Sequence, residues 1–209
     1  MFPDSVYDIK INGLNGDTDI LSLRKNKISL FVNIATKCGY SPTCSPVWSF
    51  ARTSKQLWEL QKVHEMYSEH GFSVVGFPCN QFGEMEPSAN EEIHQFILKN
   101  YPFVTFPISE KIDVNGQNEH LVYNYLKGPE IRNHDDSTAD MSDAAKRGQN
   151  LAMQAMMRIP HNWEKFLISV EGKSIARFNW QDTPLAEKPL YAGGSQWTIR
   201  QAIEMVLGI

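Results

Sequence analysis

Cys38 and Cys44 stand six positions apart in the stretch NIATKCGYSPTC, residues 33 to 44. Thiols so placed invite three chemistries: a metal site, a disulfide, or a nucleophile with a helper. Zinc takes four ligands, usually arranged as close Cys-x2-4-Cys pairs. The spacing here is wider, no second pair follows, and Cys79 stands alone, so no metal site is expected. Cys38 follows an apolar run and precedes a helical pattern, which puts its sulfur at the carboxyl edge of a sheet near the unpaired N–H groups of a helix start. The positive end of that helix, with Lys37 alongside, would favour the thiolate, the form that attacks peroxide oxygen. The competing reading is a small buried apolar residue beside a strand.

The elements that must hold these residues are legible from periodicity. KISLFVNIA, residues 27 to 35, is a nearly unbroken apolar run rich in β-branched and aromatic residues, as in a strand buried on both faces. From Val47 to Glu69 the spacing of Leu57, Leu60, Val63 and Tyr67 predicts a helix ended by Gly71, with a strand FSVVGF directly after it. Ser88 and Glu91 have the spacing of a capping box at the head of a second helix. TFPISEKI reads as a short strand and EHLVYNYLKG as a helix. EKFLISVEGKSIARF reads as a strand pair turning at Glu171-Gly172, and SQWTIRQAIEMVLG as a terminal helix. Alternation and the Asn15-Gly16-Asp17 turn signal predict an N-terminal β-hairpin.

This alternation predicts an α/β fold, a central mixed sheet flanked by helices. A single domain is expected over 1–209, with an insertion-like segment near 45–62 and a surface excursion near 128–160. Trp48 and Trp58 in the first are expected to pack inward. In the second, Met153, Met156 and Met157 share a helix face expected to pack on the body.

Composition narrows the function. At 209 residues the chain can bury a core without staples, and three cysteines are too few for a secreted framework. The charge of −4 shows no basic stripe, so nucleic acid is not an expected partner. No apolar run approaches a bilayer span, and the N-terminus MFPDSVYDIKING has no leader pattern. A cytoplasmic protein is expected.

NIATKCG, GFPCNQFGEMEP and NWEKFLI, in that order, resemble the three signature blocks of the glutathione peroxidase family, with smaller echoes at SANEEI, VTFP and KIDVNG. The resemblance runs from about Tyr7 to about Phe178. It implies a thioredoxin-like fold and a thiol-dependent peroxidase that reduces hydrogen peroxide or small organic hydroperoxides, with no bound cofactor. It maps the nucleophile to Cys38, and to Gln81 an amide whose N–H meets the charge developing as the O–O bond breaks. Asn162 matches the family's Asn. Where the family usually shows Trp-Asn-Phe, this chain has His161, Asn162 and Trp163. An imidazole at 161 has a pKa suited to donating a proton, and a shift of register would instead bring in Trp163.

Attack on peroxide leaves a sulfenic acid that another thiol must clear. Cysteine-type members often carry a resolving cysteine on the helix after FPCNQF, but EEIHQFILKNY has none. Within the chain, Cys44 and Cys79 remain. Three routes follow: a Cys38–Cys44 disulfide reduced by thioredoxin, direct capture by glutathione, or capture by a protein thiol. The alternative reading, motivated by His161 and the missing cysteine, is a low-turnover redox sensor or binding protein on a peroxidase scaffold.

Overall fold

The computed structural model describes residues 3–38, 46–128, 157–188 and 196–209, with backbone only for 46–54. Four strands, β1 (Ile28–Ile34), β2 (Phe72–Pro78), β3 (Lys165–Ile168) and β4 (Ser174–Phe178), form one mixed sheet in the order β2-β1-β3-β4. β1 runs parallel to β2 and antiparallel to β3, and β3 pairs antiparallel with β4. Among the described residues the α-helices are α1 (Pro46–Tyr67), α2 (Asn90–Asn100), α3 (Leu121–Leu126) and α4 (Ile199–Leu207).

β1 is central and wholly buried because both of its faces are covered. Leu30, Val32 and Ile34 join Leu57, Leu60 and Val63 of α1 and Ile199 and Ile203 of α4 on one face. Phe31 points the other way, into a cluster with Val75, Phe77, Tyr123 and the N-terminal residues Val6, Tyr7 and Ile9. Each buried aliphatic or aromatic side chain contributes about 1.5–3 kcal/mol. A slip of one residue would exchange the two faces of the strand, so the register that sets the site is strongly specified.

The helix before β2 ends as expected: a 3-10 turn, Ser68–His70, leads to Gly71 in the left-handed conformation at φ 82°. The segment expected to be insertion-like is the body of α1 from residue 46 onward. Trp58, expected to pack inward, is 48% exposed with the Lys62 ammonium 5.9 Å over its ring. The helical spacing is satisfied without it by Leu57 and Leu60, which take the inner face. The side chain of Trp48 lies outside the described residues, as do Met153, Met156 and most of the 128–160 excursion.

Three boundaries differ from the sequence reading. α2 starts at Asn90 with Ala89 before it, and Glu92 reaches back to the Ala89 N–H at 3.2 Å. Ser88 is left to accept the Lys37 ammonium at 3.0 Å. The N-terminal segment folds back at Asn15-Gly16, with Ile20 N–H donating to Ile11 O and Gly13 N–H to Asp17 O, but it forms 3-10 turns and single bridges in place of a ladder. TFPISEKI likewise forms no continuous strand: it meets the edge of β2 through a bridge at Ile108 and the Ile112 N–H donating to Pro78 O at 2.9 Å, and Pro107 has no N–H to extend the ladder.

Candidate active site

Three loops meet beyond the carboxyl ends of β1 and β2, the usual place for a site in a sheet with adjacent parallel strands. The first is the turn after β1. Cys38 N–H donates to Ala35 O at 3.3 Å, and the residue is 4% exposed within the cluster that holds Ile34, Ala35 and Trp163. The second is the loop after β2, which grips that turn from below. The fully buried Glu86 carboxylate accepts the Thr36 N–H at 2.5 Å and the Thr36 hydroxyl at 2.8 Å, while its own N–H donates to Asn80 Oδ1. Burial pushes the Glu86 pKa up, and the two Thr36 bonds with Lys37 and Lys111 oppose the rise. Lys37 N–H donates to Met85 O at 3.2 Å, completing the staple.

The third loop precedes β3 and is positioned by one polar side chain in the middle of β1. Asn33, fully buried, donates through Nδ2 to His161 O at 3.0 Å and accepts the Glu164 N–H through Oδ1 at 3.0 Å. Its backbone oxygen accepts the Trp163 N–H at 2.7 Å. Trp163 adopts φ 76°, a left-handed conformation that a bulky residue takes only when its surroundings impose it. The imposing contacts are that Asn33 bond and the buried Lys165 ammonium, which donates to Trp163 O at 2.7 Å and to Asp182 O at 2.7 Å.

This clamp buries Asn162 and Trp163 completely. Asn162 Nδ2 lies 3.9 Å from Met85 Sδ, and Met85 packs against the Cys38 cluster. Among the described residues, Asn162 Oδ1 and Trp163 Nε1 have no hydrogen-bond partner. A buried donor and acceptor left open suit a polar ligand, since an unmet buried polar atom costs about 1–3 kcal/mol. Trp163 occupies the apolar side of the site, so no change of register brings its ring to position 161. The His161 ring is stacked 6.1 Å from Phe82 and lies 4.9 Å from Trp180, with Nδ1 3.2 Å from Asn162 O. Its contacts are those of a packing and hydrogen-bonding residue next to Asn162.

Two expected positions carry different contacts. The Gln81 amide clamps the 114–115 backbone: Oε1 accepts from Val114 N–H and Asn115 N–H, each at 2.9 Å, and Nε2 donates to Asn115 O at 2.7 Å. The donor expected to meet the sulfur is thus engaged with a carbonyl. Cys79 is buried on the opposite face of the sheet, in the cluster of Phe77 and Tyr123, where burial pushes its thiol pKa up. That removes Cys79 as a partner for Cys38. Cys44 lies outside the described residues. α1 begins at Pro46, and the Lys37 ammonium donates to Ser88 Oγ at 3.0 Å. No group of three or more His, Cys, Asp or Glu among the described residues is arranged to hold a metal.

Asn33, Met85, Lys165 and Trp180 were not singled out from sequence. Asn33 carries a signal, a polar residue inside an apolar strand run; Met85, Lys165 and Trp180 carry none.

A family model described as glutathione peroxidase matches residues 6–127. Glutathione peroxidase-like peroxiredoxin 2 of Saccharomyces cerevisiae is 37% identical over 175 residues, 84% of this chain and 87% of that protein. BsaA, a glutathione peroxidase homolog of Staphylococcus epidermidis, is 36% identical over 181 residues, 87% of this chain and 92% of the relative. The solved structure of apo Trgpx superposes with a TM-score of 0.58 at 26% identity, covering 98% of this chain and 96% of that one.

Proposed function

Since the chain belongs to the glutathione peroxidase family and is a thiol peroxidase of thioredoxin-like fold, we propose that Cys38 is the sulfur that attacks the peroxide. The observation that carries this reading is the Asn33 clamp, which fixes the Asn162 amide 3.9 Å from the sulfur of Met85, a residue packed against the cluster that buries Cys38. The Cys38 thiolate attacks the terminal oxygen of hydrogen peroxide or a small organic hydroperoxide. The O–O bond breaks, the leaving oxygen takes up a proton as water or alcohol, and Cys38 is left as a sulfenic acid. Asn162 Nδ2 supplies a donor to the developing charge, and an N–H aimed at a developing oxyanion is worth about 10²–10³ in rate. Gln81 fixes the 114–115 segment through its three amide hydrogen bonds.

Cys79 lies behind the sheet, so the electrons that reset Cys38 come from Cys44 or from outside the chain. Either thioredoxin reduces a Cys38–Cys44 disulfide or glutathione captures the sulfenate directly. A cytosol-type reducing compartment fits both reductants. Cys38→Ser is expected to abolish peroxide consumption with either reductant. Cys44→Ser separates the routes: loss of turnover with thioredoxin alone marks the disulfide, and unchanged turnover with glutathione marks direct capture. A second reading, the low-turnover sensor, draws on His161 standing where the family usually has Trp. Rapid sulfenate formation at Cys38 with turnover on neither reductant would favour it. Residual peroxide consumption in Cys38→Ser equal to wild type would overturn the assignment.

A further inference from the structure

Met85 sets a second sulfur against the cluster that buries Cys38. The loop after β2 turns through two left-handed residues, Gly83 at φ 63° and Glu84 at φ 52°, and drops the Met85 side chain back onto the Cys38 cluster. Space behind it is short: a Cβ at position 83 would sit 3.3 Å from Met85 Cε. The side chain is only partly buried, and Sδ faces the Asn162 amide at 3.9 Å. The Met85 backbone accepts from Lys37, the residue before Cys38, so thioether and thiol are held by one staple.

We propose that Met85 is a peroxide-modified methionine that lowers the enzyme's activity when oxidant is in excess. It rests on the reading of Cys38 and Asn162 given above. A lone pair of Sδ attacks the terminal oxygen of the hydroperoxide, the O–O bond breaks, and the S–O bond forms. The proton on the transferred oxygen passes to the departing oxygen, giving methionine sulfoxide and water or alcohol; the thioether loses two electrons and the peroxide gains them. Asn162 Nδ2 lies where it stabilises the leaving oxygen. After oxidation the sulfoxide oxygen is a far stronger acceptor than a thioether sulfur. It holds the Asn162 N–H and takes it from the peroxide at Cys38.

The test begins in Cys38→Ser, so that it is read independently of the nucleophile's assignment. The protein is treated with hydrogen peroxide, and oxidation at single methionines is followed by peptide mass spectrometry. Accessibility alone would favour Met66 and Met205, which are 46% and 56% exposed. Met85 is expected to gain one oxygen about threefold faster than either, a preference that Asn162→Ala removes. Equal or slower oxidation of Met85, or a preference unchanged in Asn162→Ala, overturns the proposal. In the wild-type chain, peroxide pretreatment is expected to slow turnover, and methionine sulfoxide reductases A and B together are expected to restore it. Overoxidised Cys38 would not respond to them. Met85→Leu, compared with its own untreated rate, is expected to lack the reversible part of the loss. A loss that the reductases do not reverse, or the same reversible loss in Met85→Leu, sinks the regulatory role.

Discussion

His161 carries the sharpest departure from the motif and also the clearest set of contacts. Its ring is bracketed by Phe82 and Trp180, and an N–H on Nδ1 donates to Asn162 O at 3.2 Å, spending that donor on the backbone of the residue it would otherwise assist. Phe at this position keeps the stacking and loses the hydrogen bond. One neutral hydrogen bond is worth about 1 kcal/mol, or about fivefold in a rate. His161→Phe is therefore expected to slow the reaction of Cys38 with hydrogen peroxide by about three- to tenfold without changing the shape of its pH profile between about pH 5 and pH 9. Asn162→Ala is expected to cost about 10²–10³. Stopped-flow rates across pH decide it, since a proton-donating imidazole would take an inflection with it. For Gln81 the motif located the residue, but a side-chain amide has two ends and many backbone partners. Its engagement with Val114 and Asn115 depends on where a distant loop lies.

At the scale of the element, the site is a consequence of β1. Its register aims Asn33 at the loop before β3, so one strand residue holds both the carbonyl of His161 and the N–H of Glu164. Asn33→Leu keeps the volume and leaves those two groups buried and unmet, at about 1–3 kcal/mol each. A loss of about 2–5 kcal/mol in urea-derived stability is expected, with kcat/KM for peroxide falling as Asn162 drifts. Full activity in a destabilised variant would separate the clamp from catalysis. The sheet, α1 and the terminal helix were legible because burial on both faces and helical periodicity leave plain patterns; Thr198 with Gln201 and Gly208 even mark the ends of α4. The N-terminal alternation misled because Tyr7 is drawn across the strand ends, its hydroxyl bonding to Lys27 O, Ser29 Oγ and Ser169 O. Tertiary packing outweighed a local preference for a hairpin.

Across the whole molecule, Lys165 joins the site loop to the 179–185 segment, and that segment is tied to α1 by the Glu59 carboxylate accepting the Leu185 N–H at 2.9 Å. Burial pushes the Lys165 pKa from its ordinary 10.5 down to about 7, against the pull of Glu164, Asp182 and Glu59. A base depressed on folding contributes stability that is complete above its unfolded pKa and is lost as pH falls toward its folded one. From this group, stability should rise between about pH 7 and pH 10. Lys165→Met, with no charge to lose, should show a flatter profile in urea unfolding over that window, and equal slopes would refute the burial argument. This coupling was hidden in the sequence, where a lysine opening a strand reads as solvated. Cys38 and Cys79 pack in clusters on opposite faces of the sheet, with the paired strands β1 and β2 between them. A disulfide joining them would record that the sheet had come apart, a covalent memory of unfolding written by the enzyme's own substrate.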